Sequence, residues 1–361
     1  MRKERFIRLN AYLAFAFMVL AAFFVSFRIT KKDSSSAVKK ENFLVLREGK
    51  EVSALYFDGI NVWVGGNDGV IVYDEKTLEE VRRIADLKLV YSTGMEQTPD
   101  GMMWIGHEDG VTGFAIVDGK EKNRIDFSYP DIPKGRVNTI EWDGKKLWIG
   151  TYDGAACLVQ SKDTVGWKVE AFYGKSNGLC SDSVNVIRKT QDSLWFASYL
   201  DTESGGISIM DGNKMQCLTV EDGLPHPYIT SLENLGDGRM LVGTGYMDTG
   251  GLALIQRGEN GYQVMETYGK EQGVPGEKVR QLFLDSRGYL WITTEYDGIL
   301  VINYKKDGLK IPFHGIYYTE ENGLSDNEIK CIVETDENYW LGGKYGLTLI
   351  PKQRMAEQLQ E

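Results

Sequence analysis

The sequence predicts an all-β fold, a seven-bladed β-propeller of four-stranded antiparallel blades, and three observations carry that reading. A short strand built around one large apolar residue recurs seven times. The recurrences are 41 to 50 residues apart. Glycine-bearing turns follow them, and 41 glycines supply those turns. A fixed period in this range marks a radial array in which each unit is one sheet that buries its faces only against its neighbours.

The seven cores are Val62-Trp63-Val64-Gly65, Met103-Trp104-Ile105-Gly106, Leu147-Trp148-Ile149-Gly150, Leu194-Trp195-Phe196-Ala197, Met240-Leu241-Val242-Gly243, Leu290-Trp291-Ile292-Thr293 and Tyr339-Trp340-Leu341-Gly342. Six of the seven place Trp at the same point. In the third unit, alternating stretches separated by Asp-Gly turns read as strands over 137–142, 147–150, 155–159 and 169–173. The fourth of these has counterparts at 216–220, 264–268 and 316–318. Each is followed by a loop of nearly one spelling: Asn177-Gly178-Leu179, Asp222-Gly223-Leu224-Pro225, Gln272-Gly273-Val274-Pro275 and Asn322-Gly323-Leu324-Ser325.

The last unit lacks an outer strand, since only a polar tail, 353–361, follows it. Residues 43–46 precede the first unit and are spelled like an outer strand. They are expected to pair with the last blade and close the ring, because an open ring leaves unpaired edges. The propeller is therefore placed at 43–352.

The N-terminus is of another kind. Residues 11–27 are almost entirely apolar, and with their flanks predict one transmembrane signal-anchor helix over 9–28. Arg2, Lys3, Arg5 and Arg8 precede it, so residues 1–8 are expected in the cytoplasm and the propeller outside. A cleaved signal peptide is the alternative, but the one small-residue site, around Ser35 to Ala37, lies beyond the usual distance from the apolar run. Residues 29–42 read as a polar tether.

Beyond residue 32 the chain holds 34 basic against 51 acidic residues, a net charge of −17. Such a surface is repelled by phosphate backbones, which argues against nucleic-acid binding. Four cysteines, Cys157, Cys180, Cys217 and Cys331, show no metal-ligand spacing. Cys157, Cys217 and Cys331 fall on predicted strands, where a thiol packs as a small apolar group. A disulfide within the third and fourth blades stays open outside the cytoplasm. No cofactor is implied.

With its Asp-Gly-Leu-Pro and Asn-Gly-Leu-Ser loops, valine-led inner strands and Leu-Trp-Ile-Gly-Thr cores, the chain resembles the two-component regulator propeller family, best over 272–302 and 322–350. The first two units depart from that spelling. The resemblance implies an extracytoplasmic sensory propeller of the kind carried by membrane-bound histidine kinases, glycans being among the ligands sensed. No output domain is expected here, so signalling would go through a membrane partner such as a sensor kinase. An envelope protein-protein scaffold is the alternative.

If each inner strand runs inward from its interblade loop, those loops and the turns after the Trp strands emerge on one face. Five blades then present a tyrosine: Tyr152, Tyr199, Tyr246, Tyr296 and Tyr345. Around them stand Asp201, Asp248, Glu108 and Glu295, with His107, His226 and Tyr228. Ring faces that stack and carboxylates that accept hydroxyl hydrogen bonds suit an oligosaccharide or other small polyhydroxylated ligand. Asp68, Asp109, Asp153 and Asp297 precede Gly and are read as turn formers. Blades four and five share a longer loop, Tyr199-Leu200-Asp201-Thr202 and Tyr246-Met247-Asp248-Thr249.

No catalytic residue is singled out. The stretch Leu290 to Glu295 is similar to the streptogramin lyases, metal-dependent propeller enzymes that use histidines. Only three histidines exist here, and His107 and His226 fall in nearly opposite blades, which makes a shared metal hard to build.

Overall fold

The computed structural model describes residues 43–90, 94–161 and 166–358. The expected tail, anchor and linker, 1–42, lie outside these residues. Among the described residues no helix is long and apolar enough to cross a membrane.

Seven four-stranded antiparallel sheets form, each built in chain order except the last. Blade 3, for example, runs Val137–Trp142, Leu147–Thr151, Gly154–Gln160 and Trp167–Tyr173. Blade 7 takes three strands, Ile329–Glu334, Asn338–Gly343 and Gly346–Pro351, from the C-terminal end and its fourth, Leu44–Leu46, from the N-terminal end. The register is Leu44 to Leu349, Val45 to Thr348 and Leu46 to Leu347. The expected closure is thus formed.

The valine that leads an inner strand and the glycine that follows a Trp strand have one common cause. A Cβ on Gly150 would lie 2.6 Å from Val184 of the next blade, and one on Gly243 would lie 2.8 Å from Val279. Gly106 meets Val137 at 2.7 Å in the same way, and Gly342 meets Val52 at 2.5 Å across the closure. At these four joints the leading valine presses into the hole left by its neighbour's missing side chain, so the blades interlock. The six Trp side chains of the repeat cores fill the adjoining space and are at most 4% exposed. Most indole N–H groups find an oxygen at the preceding turn: Trp63 donates to Asp58 at 2.8 Å, Trp148 to Asp143 at 2.7 Å and Trp291 to Asp285 at 3.2 Å.

Local chemistry also explains the interblade loops. After the outer strands of blades 3 to 6 comes a single 3₁₀ turn, 175–177, 220–222, 270–272 or 320–322. Its last side chain reaches back to a backbone N–H: Asn177 accepts from Gly174 at 2.6 Å, Asp222 from Thr219 at 2.9 Å, Gln272 from Gly269 at 2.8 Å and Asn322 from Thr319 at 2.6 Å. The glycine that follows is left-handed, as at Gly178 with φ 110° and Gly223 with φ 102°. Leu179, Leu224, Val274 and Leu324 then bury between blades.

Two segments differ from the sequence expectation. The stretch read as a polar tail begins with a short helix, Lys352–Gln358, which buries Met355 beneath blades 6 and 7, the Tyr318 hydroxyl lying 3.3 Å from its sulfur. One apolar side chain in a polar run gives little sequence signal. Cys217, read as a packed thiol, is bonded to Cys180, tying an interblade loop to the outer strand Lys214–Leu218 of blade 4. Cys157 and Cys331 are free, the first buried and the second half-buried.

Candidate functional site

The inner strands surround a central cavity of about 850 Å³. Blades 3 to 7 share a device that shapes its wall: pairing skips a residue at the start of the inner strand, between Val137 and Thr139, Val184 and Val186, Ile229 and Ser231, and Ile329 and Cys331. In blade 6 the irregularity lies between Val279 and Leu282. A bulge re-aims the side chain beside it. The residues after the leading aliphatics, Asn138, Asn185, Thr230, Arg280 and Lys330, line the cavity, while the leading residues themselves are 0–2% exposed.

On one side of the mouth amides shape the wall, with Arg136 beside them donating to Asn138 at 3.0 Å. Asn138 donates to the Val184 carbonyl at 2.9 Å and Asn185 to the Ile229 carbonyl at 3.1 Å, so both amides also clip one blade to the next. On the other side, charges alternate across blades 6, 7 and 1. Lys278 pairs with Glu295; Arg280 lies 4.0 Å from Glu295 and 2.9 Å from Glu328; Lys330 lies 3.7 Å from Glu328 and 2.7 Å from Glu51. Three cations meet three carboxylates, so this chain is neutral as a unit. Burial works against the ionisation of Glu295, but Lys278 and Arg280 outweigh it and hold the carboxyl below its usual value.

Deeper in the bore the balance fails. Three residues beyond the bulge position come Glu141 and Arg188, with Glu96 of blade 2 and Glu233 of blade 5 at matching pairing positions. Burial, then the charge of Glu141, pushes Glu96 up to about 7, and burial pushes Glu233 up to about 7 against the pull of Arg188. Glu141 is raised by burial as well, although Arg188 stands 3.6 Å away. One guanidinium serves three carboxylates.

Of the residues singled out from sequence, Tyr152, Tyr199 and Glu295 line the cavity. Tyr152 accepts a hydrogen bond from Arg136 at 2.7 Å, and that guanidinium sits over its ring. Tyr199, Tyr228 and Tyr246 form one aromatic cluster, with centroids 5.1 Å and 5.5 Å from the central Tyr228. The Lys278 ammonium lies 5.8 Å from the Tyr199 ring and 5.6 Å from the Tyr246 ring. His226 packs on Tyr228 at 4.9 Å, and its Nδ1 accepts the Tyr228 N–H. Burial lowers its proton affinity. Tyr296 donates to Glu295 at 3.0 Å and is exposed, as is Tyr345 beneath Lys344.

The other candidates stand apart from the cavity. His107 sits 3.1 Å from the Thr112 hydroxyl within blade 2, and Glu108 is 3.9 Å from Arg136 at the rim. Asp201 accepts from Ser181 and from two loop N–H groups, which is turn chemistry. Asp248 is exposed at a hairpin tip. Among the described residues no group of three His, Cys, Asp or Glu side chains is arranged to hold a metal ion. Sequence reasoning missed the basic lining, Arg136, Arg188, Lys278, Arg280 and Lys330, because it searched turns. The signal lay in the strand starts, where the residue beside each leading aliphatic differs from blade to blade.

Residues 273–296 match the family model described as two component regulator propeller. No curated protein matches the chain. Among solved structures it resembles the extracellular domain of the hybrid two component system BT3049 from B. thetaiotaomicron, with TM-score 0.65 and 22% identity over 84% of this chain and 39% of that one. It resembles the extracellular domain of the one component system BT4673 from the same organism, with TM-score 0.63 and 19% identity over 86% and 39%. PorZ, a surface component of the type-IX secretion system of Porphyromonas gingivalis, matches with TM-score 0.59 and 16% identity over 84% and 46%. The chain therefore spans less than half the length of these proteins, and likeness at such identities shows the fold.

Proposed function

We propose that this chain is an extracytoplasmic, non-catalytic sensor propeller that takes a neutral polyhydroxylated ligand, such as an oligosaccharide, in its cup and acts with a membrane partner. The observation that carries this reading is the mouth of the bore, where the Tyr199 ring, backed by Tyr228 and Tyr246, stands beside a wall whose charges at blades 6, 7 and 1 are paired. The alternating pairs of blades 6, 7 and 1 spend most of the charge at the mouth on one another, while stacking rings and amides suit hydroxyl-rich ligands. The Cys180–Cys217 disulfide supports a location outside the reducing cytoplasm. The regulator-propeller repeat supports sensing.

Titration calorimetry against a panel of neutral oligosaccharides tests it. Tyr199→Ala and Tyr246→Ala are each expected to weaken binding about tenfold, since one aromatic stack contributes on the order of 1 kcal/mol, without lowering the melting temperature. Silence across the panel, or binding that ignores both substitutions, overturns the reading. An envelope scaffold is the second reading, favoured by exposed apolar side chains on the same face.

A further inference from the structure

The hairpin of blade 5 rises above that of blade 3, and blade 4 carries a long loop, 199–206, between its second and third strands. In blade 3 the hairpin ends with the pair Thr151 and Gly154, whereas in blade 5 two further pairs, Gly245 with Gly250 and Tyr246 with Thr249, follow the equivalent point. At roughly 3.3 Å per residue, that lifts the tip by about 6–7 Å. The tip residue is Met247, with φ 52° and 56% of its surface exposed; its counterpart in blade 4, Leu200, has φ 63° and is 55% exposed.

Two costs coincide at each position. A left-handed backbone is unfavourable for a side chain of this kind by about 1–2 kcal/mol, and an exposed apolar side chain recovers nothing by burial within the chain. Asn or Gly would serve the turn better. Other left-handed non-glycine residues do not share the combination: Asp118 and Asn123 suit that conformation, and Leu78 is half-buried against the core of blades 7 and 1. The two tips are joined through Tyr199, Tyr228 and Tyr246, so they belong to one surface.

Around them the charge is acidic. Glu203, Asp248 and Asp297 are exposed and make no ion pair among the described residues; Lys270 and Lys278 are matched to Glu277 and Glu295, and a further cation, Lys175, donates to Ser204 in the blade 4 loop, so carboxylates remain in excess. From this juxtaposition we propose that Leu200 and Met247 form a docking surface for a polypeptide segment bearing apolar side chains beside lysine or arginine. A sugar offers no apolar chain to cover Leu and Met, and an anionic lipid surface is repelled by the carboxylates. Met247 stands outside the cavity while Leu200 lines its edge, so the surface adjoins the cup and goes beyond the reading of it without depending on it.

Fluorescence anisotropy of the full-length chain in mild detergent tests it, with three synthetic peptides as probes: one alternating Lys and Leu, one alternating Lys and Ser, one alternating Glu and Leu. The Lys/Leu peptide is expected to bind at least tenfold tighter than either control, and the Leu200→Asn/Met247→Asn double variant to lose at least tenfold. Asn accepts the left-handed conformation, so the variant's melting temperature should hold or rise. The Met247→Asn single variant, altered away from the cavity lining, should leave oligosaccharide binding by calorimetry unchanged while weakening the Lys/Leu peptide. Equal peptide binding by the variant overturns the proposal, and so does a fall in melting temperature, which would mean that the tips pack within the chain. A dimer abolished by the double substitution would assign the surface to a second copy instead. Joint loss of sugar and peptide binding in the Met247→Asn variant would overturn the proposal and assign the tips to the cup.

Discussion

Neighbouring residues of one strand follow opposite rules in this ring. The leading positions, Val52, Val137, Val184, Ile229, Val279 and Ile329, are all branched, aliphatic and buried. The next positions, Ser53, Asn138, Asn185, Thr230, Arg280 and Lys330, differ in size, charge and partners, and all line the bore. The difference separates what makes a ring from what makes this ring. Interblade packing asks for one kind of side chain, since four leading valines fill the notch of a neighbour's glycine and isoleucine stands where that neighbour has Ala197 or Thr293, while the bore imposes no common shape and is free to differ blade by blade.

The strongest way to break the comparison is to remove the closure on which equivalence of the seven blades rests. Deleting 42–49 removes the strand Leu44–Leu46 and the Arg47 side chain that pairs with Asp68 and donates to the Val64 carbonyl at 3.3 Å. It also uncovers an edge on blade 7. The expected loss is on the order of 5 kcal/mol, or roughly 10 °C or more in melting temperature by calorimetry. An unchanged transition would mean that the ring is sealed by side-chain packing alone.

A finer test sets adjacent residues of blade 5 against each other. Ile229 is fully buried, so Ile229→Ala is expected to cost about 3 kcal/mol in denaturant unfolding. The hydroxyl of Thr230 is buried without a hydrogen-bond partner, so Thr230→Val should be neutral or stabilise by a few tenths of a kcal/mol. Similar losses at the two positions would refute the division between packing and lining.

That division also explains what was legible. Repetition made the blades readable: Trp at 63, 104, 148, 195, 291 and 340, the glycine two residues on in four of these, and the Asn/Asp/Gln-Gly-Leu/Val loops each answer a need common to several blades. The bore answers no common need, so its charges carry no period. Arg188 and Glu141 occupy matching positions with opposite charge, and only the folded ring brings them to 3.6 Å. The tyrosines at the turns were visible because five blades spell them alike, yet only Tyr152 and Tyr199 of the five line the cavity. Asp201 shows the reverse, a carboxylate that looks like a ligand-binding group and is consumed by its own loop. The sequence leaves a disulfide in the third and fourth blades open, but its pairing was not legible, because Cys180 and Cys217 lie 37 residues apart and only the blade's return path brings their Cα atoms to 5.8 Å.

The smallest effect distinguishes the mouth of the bore from its depth. Glu96 and Glu233, pushed up to about 7, hold protons in the folded chain at pH values where the unfolded chain has released them. The folded state then binds more protons across pH 4.5 to 7, so these two groups make stability fall as pH rises through that window. Glu295 at the mouth works the other way, since its lowered value contributes stability that is lost only as pH falls below the ordinary carboxylate range. His107 and His226, both lowered by burial, also favour the folded state as pH rises, so the net slope mixes opposing contributions. The informative quantity is the difference between variant and parent. Glu96→Gln and Glu233→Gln should each raise stability at pH 8 by on the order of 1–2 kcal/mol relative to pH 5, the water in the bore keeping the effect well below that of a dry site. Glu295→Gln should show no such gain and should cost stability at pH 8, because Lys278 loses its partner. If the glutamines at 96 and 233 leave the pH profile of the melting temperature unchanged, the depth of the bore is as well compensated as its mouth, and the contrast between the two levels fails.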